Sequence, residues 1–107
     1  MTFSPRRFFA LNNHAFEAIG EPAAVEFYFD EHEKKIGMLP CDQHKKNAFR
    51  VRKEKGKEYH VIYAGAFCTH FSISTTRTVL FDELDMKPNG MLVLDMKKTI
   101  NVSRGSR

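Results

Sequence analysis

Tryptophan is absent from this chain, cysteine occurs only twice, and no uncharged apolar run approaches the ~20 residues that a membrane helix requires. Two cysteines, Cys41 and Cys68, do not form a disulfide scaffold, and without a CxxC pair they offer neither a zinc knuckle nor a redox motif. Cys68 follows Phe67 in an apolar-periodic segment and reads as a buried or half-buried free thiol. The N-terminal MTFSPRR lacks the apolar segment of a signal peptide, so the sequence reads as that of a cytosolic protein with no membrane partner. His14, His32, His44, His60 and His70 show no HExxH and no metal-binding Cys/His spacing. The glycines build no phosphate loop. Cys41, Asp42 and His44 lie close in sequence, but no third group orients them. With no paired carboxylates and no nucleophile-base set, the expectation is a protein that is not an enzyme and uses no metal or cofactor.

What the chain does have is 107 residues, 42% of them hydrophobic, with ten Phe. That suffices for one domain burying roughly two-thirds of its unfolded-chain surface. Phe, Val, Ile and Tyr favour pleated, half-buried surfaces, which points to a mainly β fold.

The net charge of +4 is unevenly spread. Residues 1–40 carry four basic and six acidic side chains, residues 41–81 eight and three, and residues 82–107 five and four. A basic middle flanked by near-neutral ends points to an anionic partner. The bland reading is that Lys and Arg solubilise a loop and protect an edge strand.

A self-comparison finds one unit written twice. Phe9-Ala-Leu-Asn-Asn-His-Ala-Phe16 aligns with His60-Val-Ile-Tyr-Ala-Gly-Ala-Phe67 at an offset of 51. Ile19 then matches Phe71, and Phe27–Asp30 matches Val79–Asp82, at an offset of 52. Ile36–Pro40 matches Met91–Asp95 at an offset of 55. Insertions fall only where turns belong.

Each copy reads as β-α-β-β. A strand ends near Leu11 or Ile62. A short helix follows, with an inner face of Ala15, Phe16 and Ile19 in one copy and Ala66, Phe67 and Phe71 in the other. Asn12 or Asn13 caps the first helix and Gly20-Glu21-Pro22 stops it; the second stops over the hydroxyl-rich 72–76. Strands are predicted at Val25–Phe29 and Arg77–Phe81, and closing strands at Ile36–Leu39 and Met91–Leu94, with Pro40 bounding the first. Asp30 and Asp82, at equivalent strand ends of the two copies, read as turn caps, and Asn89-Gly90 marks a tight turn.

Between the copies, Phe49–Lys53 alternates apolar and basic residues as one strand. Glu54–Glu58 turns around Gly56, and Tyr59–Tyr63 returns, making a basic hairpin. Alternation places Arg50 and Arg52 on one face with Val51 inward. Copy one carries a reduced hairpin, Phe3 through Phe9, bending at Pro5-Arg6-Arg7. One domain over 1–100 is expected, built of repeats at about 3–40 and 49–96, with a frayed polar tail over 101–107. Two such halves facing each other across a pseudo-two-fold axis supply each other's missing core.

The run Phe49-Arg-Val-Arg-Lys-Glu-Lys-Gly-Lys-Glu-Tyr-His-Val-Ile62, the helix 65–71 and the strands after it resemble an AbrB-like swapped-hairpin unit. MraZ proteins hold two such units in one chain. The resemblance spans most of residues 3–96. It departs from the family at the strand-to-helix junction, where Asn12-Asn13 and Tyr63-Ala64 replace a common proline, and in the missing glycine turn of copy one. It implies mainly β architecture with short helices (α+β), duplicated β-α-β-β units interlocking as a swapped-hairpin pseudo-dimer barrel. By function it implies a DNA-binding transcriptional regulator or antitoxin-like protein. The DNA-contacting residues it implies are Arg50, Arg52, Lys53, Lys55 and Lys57, with Arg6 and Arg7 in copy one, and the implied partner is double-stranded DNA. The rival expectation is a non-enzymatic interaction or structural domain on the same frame, with a protein partner or a second copy as the ligand.

Overall fold

The computed structural model describes residues 1–102. The described residues are mainly β, with two sheets and two short helices. No helix among the described residues is long and apolar enough to cross a membrane.

The first segment runs β1 (Thr2–Phe3), β2 (Phe8–Asn12), α1 (Asn13–Ala18), β3 (Ala24–Asp30) and β4 (Lys35–Cys41). The second runs β5 (Phe49–Arg50), β6 (Arg52–Lys53), β7 (Tyr59–Tyr63), α2 (Gly65–Phe71), β8 (Val79–Phe81), β9 (Asp85–Met86), β10 (Leu92–Asp95) and β11 (Thr99–Asn101). A six-stranded sheet has the order β11-β8-β1-β2-β7-β6, and a five-stranded sheet the order β5-β3-β4-β10-β9, with every pairing antiparallel. Segments 49–53 and 79–86 each pass from one sheet to the other. Within the larger sheet, β2 pairs with β7 and Ala10 stands opposite Val61.

Alternation decides which side of each strand is buried. Phe3, Phe9, Leu11 and Ile62 point inward from the larger sheet, and Val25, Ile36, Met38, Leu92 and Leu94 from the smaller, all 0–1% exposed. The Phe9 ring sits 4.7 Å from Phe3, 5.3 Å from Phe27 and 6.3 Å from Phe81, so one side chain ties the two sheets together.

Both helices stop by the same device. After α1, Gly20 N–H donates to Glu17 O and Glu21 N–H to Phe16 O, with Gly20 at φ 88°. After α2, Ser72 N–H donates to Thr69 O and Ile73 N–H to Cys68 O, with Ser72 at φ 56°. This paired cap requires a left-handed residue. Glycine adopts that shape without strain, whereas serine carries a penalty of ~1–2 kcal/mol, partly offset by its smaller chain entropy in the unfolded state. Ser72→Gly is therefore expected to stabilise the fold by about 0.5–1 kcal/mol, measured as a rise in the urea midpoint at unchanged slope.

Asn12 is the cap of α1, its Oδ1 accepting the Ala15 N–H at 2.8 Å. Asp30 Oδ1 accepts from the His32 and Glu33 N–H groups, both at 3.0 Å, whereas the Asp82 carboxylate caps nothing among the described residues and only its backbone N–H is engaged, donating to Lys98 O at 3.1 Å. Gly90 has φ 89°, while Asn89 keeps negative φ and accepts the Met91 N–H through Oδ1 at 3.1 Å.

Several expectations need correction. On α2 the buried face is Ala64, Phe67 and Cys68 with Phe71 at its edge, while Ala66 is exposed. Position 68 is one turn on from Ala64, and a thiol buries as readily as a methyl. Pro40 does not bound β4 but lies within it, opposite Val25. The pairing of β4 with β10 ends at Met38, so Pro40 falls where β4 has only β3 beside it, and a missing N–H is tolerated on such an edge. Phe49–Lys53 is not one strand: it breaks at Val51, whose N–H donates to Ala23 O at 2.9 Å, leaving β5 in one sheet and β6 in the other. After the helices the two segments also differ. β3 is continuous and pairs with β4 as a hairpin, whereas its counterpart is split at 82–84 into β8 and β9, which lie in different sheets. Finally, the chain does not fray at Asn101. Asn101 closes β11 opposite Val79, and Val102 N–H donates to Thr78 O at 3.0 Å. The rest of the expected tail, 103–107, lies outside the described residues.

Candidate nucleic-acid interface

The basic hairpin forms around the expected turn, but its first strand is only Arg52–Lys53, because Phe49–Arg50 belongs to the other sheet. β6 pairs with β7, Arg52 opposite Val61 and Lys53 opposite His60. Glu54 N–H donates to Tyr59 O at 3.2 Å and Lys57 N–H to Glu54 O at 3.0 Å, closing the turn with Gly56 at φ 73°. A positive φ is available to glycine at no steric cost, which is why the turn falls there. Arg50, Arg52, Lys53, Lys55 and Lys57 are all exposed. None of them enters an ion pair among the described residues.

Their directions differ. Arg50 and Arg52 both point away from the core while Val51 packs against it, but they leave from different sheets around the corner at Val51. Lys53, opposite His60, belongs to the other side of the pleat. Arg50 is steadied from the preceding loop, its Nη2 donating to Gln43 Oε1 at 3.1 Å.

The smaller hairpin, β1–β2, bends at 4–7. Arg7 N–H donates to Ser4 O at 2.9 Å, and Arg7 itself has φ 65°. Its guanidinium is engaged: Nη1 donates to Thr69 Oγ1 of α2 at 2.8 Å, and its carbonyl accepts the Ala64 N–H at 3.0 Å. Arg7 thus ties the first hairpin to the second helix, while Arg6 is exposed. Thr69 meets Arg7 across 62 residues and only through the tertiary fold, whereas Gln43 lies seven residues before Arg50, in the loop that leads into β5.

His60 stacks on Phe16 with ring centroids 3.7 Å apart and 15° between planes, and its buried Nδ1 has no hydrogen-bond partner among the described residues. Burial first, then the charge of Lys53, holds its pKa below the usual histidine range. His60 therefore supports the hairpin as a neutral ring and adds no charge to it at pH 7.

Elsewhere, Asp42 Oδ1 accepts the His44 N–H at 2.8 Å, so that carboxylate serves a turn. The described residues contain no group of three or more His, Cys, Asp or Glu side chains able to hold a metal. Cys68 is fully buried, and burial pushes its thiol up to about 11 against the opposing pull of Arg7. Cys41 is half-buried. A thiol reagent at pH 8 is expected to modify Cys41 alone in the native protein and both cysteines in denaturant. Because the folded-state pKa of Cys68 lies above its unfolded value, its stabilising contribution is present below about pH 9 and lost as pH rises through about 11. A smaller alkaline fall in melting temperature for Cys68→Ala than for the parent checks this sign.

Comparison with protein-family models, curated proteins and solved structures returned no match to this chain. The interface therefore rests on its own geometry: two turns from opposite ends of the β2–β7 pair, the second carrying several exposed basic side chains and the first carrying Arg6.

Proposed function

We propose that this protein is a non-enzymatic, DNA-binding regulator or antitoxin-like protein of AbrB-like swapped-hairpin architecture, with the β6–β7 hairpin as its main docking surface. The observation that carries the functional part is the hairpin itself. Arg52, Lys53, Lys55 and Lys57 project from one short turn and its first strand, with Arg50 beside them and all five exposed. An array of guanidinium and ammonium groups on a narrow β projection suits phosphate oxygens flanking a groove, and Arg adds the capacity for bidentate contact with a guanine edge.

The strand pairing supports the architectural part. β1 pairs with β2 of its own segment and with β8 of the other, while 49–53 pairs with β7 of its own segment and β3 of the other. Exchange of the leading strand in both directions is what a swapped hairpin within one chain requires. Ala10 opposite Val61 reproduces the repeat offset of 51 between β2 and β7, where a pseudo-two-fold axis would pass.

The test is a titration of a labelled random duplex and of genomic fragments between 50 and 200 mM salt. If four to six phosphates are neutralised, log K is expected to fall with log salt at a slope of about −4 to −5. Measurable affinity with no salt dependence would remove phosphate contacts, and with them this reading.

A further inference from the structure

The outward face of the six-stranded sheet is apolar and aromatic where solvent would favour polar side chains. Arg52, Val61, Ala10, Thr2, Leu80 and Ile100 stand opposite one another in register across all six strands, with Val61 buried, Ala10, Thr2 and Leu80 half-buried and the two end residues exposed. At ~4.8 Å per strand this row is about 24 Å long. Two residues along β2 to one side, Phe8 faces Tyr63 with ring centroids 5.8 Å apart; two residues to the other side, Asn12 faces Tyr59. Tyr63 is 55% exposed and Ile100 48%. Between Phe8 and Tyr59, floored by Thr2 and Ala10, lies an open depression of about 390 Å³.

We propose that this face is a stacking platform for the unpaired bases of single-stranded nucleic acid, an inference that rests on the nucleic-acid reading of the hairpin. Three features favour this occupant. Aromatic rings stand at both ends of the depression, about 13 Å apart along the strands, and every base offers a π-face to such rings whatever its identity. The charge around the platform complements a phosphate backbone. Arg52 lies in the row itself, Arg6 lies two residues before Phe8 in the first turn, and Lys57 two before Tyr59 in the second, where the intervening Glu58 accepts from Asn13 Nδ2 at 3.3 Å. No outward-facing residue of the six strands is acidic. The hairpin tips lie at opposite ends of the β2–β7 pair, so a backbone threaded between them crosses the aromatic residues. The duplex-binding role uses the turns and the basic side chains of β5 and β6, and leaves these rings without a part.

The experiment is a low-salt titration of the full chain with labelled single-stranded oligo(dT) of fifteen nucleotides and with the corresponding duplex. Tyr63→Ala and Tyr59→Ala are each expected to weaken single-strand binding roughly five- to hundredfold while leaving duplex affinity within about twofold. Tyr28→Ala, on the other sheet, is expected to change neither. The chain has three Tyr and no Trp, so stacking is also read directly as quenching of tyrosine emission. The Tyr59→Phe/Tyr63→Phe variant is expected to retain affinity but lose the quenching. Unfolding curves establish that each variant is folded. Duplex binding without single-strand binding, or single-strand binding indifferent to both alanine variants, overturns the platform and leaves the hairpin reading standing. Binding to neither nucleic acid overturns both. A change in sedimentation for Tyr63→Ala with unchanged single-strand affinity assigns the face to a second copy and overturns the platform.

Discussion

Phe9→Ala is expected to destabilise the protein by about 3–5 kcal/mol, a large part of the 5–15 kcal/mol available to a domain of this size. Phe9 is 0% exposed, and its ring meets Phe3 within its own sheet, Phe81 at the sheet's far side and Phe27 across the core. Removing it deletes the transfer free energy of the ring. It also leaves a void that three flanking aromatics, anchored on three different strands, fill only in part. Phe9→Leu keeps most of the volume and should recover more than half of the loss. Phe67→Ala should follow closely, because Phe67 is 6% exposed and stacks on Phe27 at 4.9 Å. Phe16→Ala should cost less, about 1–2 kcal/mol, since Phe16 is only half-buried and covers His60 from the outside. Guanidinium unfolding followed by far-UV dichroism ranks the three. A Phe9→Ala loss below ~1 kcal/mol would contradict the packing described for the core.

Replacing Lys53, Lys55 and Lys57 together by Gln should produce the largest functional change. Every phosphate that a lysine ceases to neutralise makes the salt slope shallower by about 0.9. The triple variant should therefore give up to about 2.7 in slope and bind roughly tenfold more weakly per phosphate at 0.1 M salt, on every duplex alike. These lysines are exposed and free of ion pairs among the described residues, so the fold should survive their replacement. Arginines should behave differently. Arg50→Ala or Arg52→Ala, where the side chain reads a base edge, should cost about 1–3 kcal/mol more on a preferred sequence than on random DNA. Because the two leave from different sheets, their effects should separate. Gln43→Ala, which frees the Arg50 guanidinium, should affect only what Arg50 binds. A folded Arg50→Ala/Arg52→Ala variant that binds both duplexes as tightly as the parent would move the site away from the hairpin. The interaction-domain alternative would then be the better account.

The features legible in the sequence are those set by a few neighbouring residues. Asn12 caps α1 because a short side-chain acceptor sits before a helical stretch; Gly20, Gly56 and Gly90 take positive φ because no other residue does so without strain; period-two alternation sorts Phe9 and Leu11 from Phe8 and Ala10. Tertiary structure decided everything that depends on a distant partner. Whether Phe49–Lys53 stays one strand depends on the edges at Ala23 and Val61, which pull its halves into different sheets. The inward face of α2 includes Cys68 rather than Ala66 because the helix settles by packing, and a propensity pattern with small residues at both positions fits either. Pro40 sits within β4 because β10 ends opposite Met38, a length set by a turn some fifty residues away. The same holds at the interface. Which residues are basic, and that Gly56 turns them outward, is local chemistry. That Arg7 is held by Thr69 and that Phe8, Tyr59 and Tyr63 share one open face are consequences of pairing β2 with β7, a meeting of residues some fifty positions apart that no local pattern encodes, whereas Arg50 leans on Gln43 only seven residues before it.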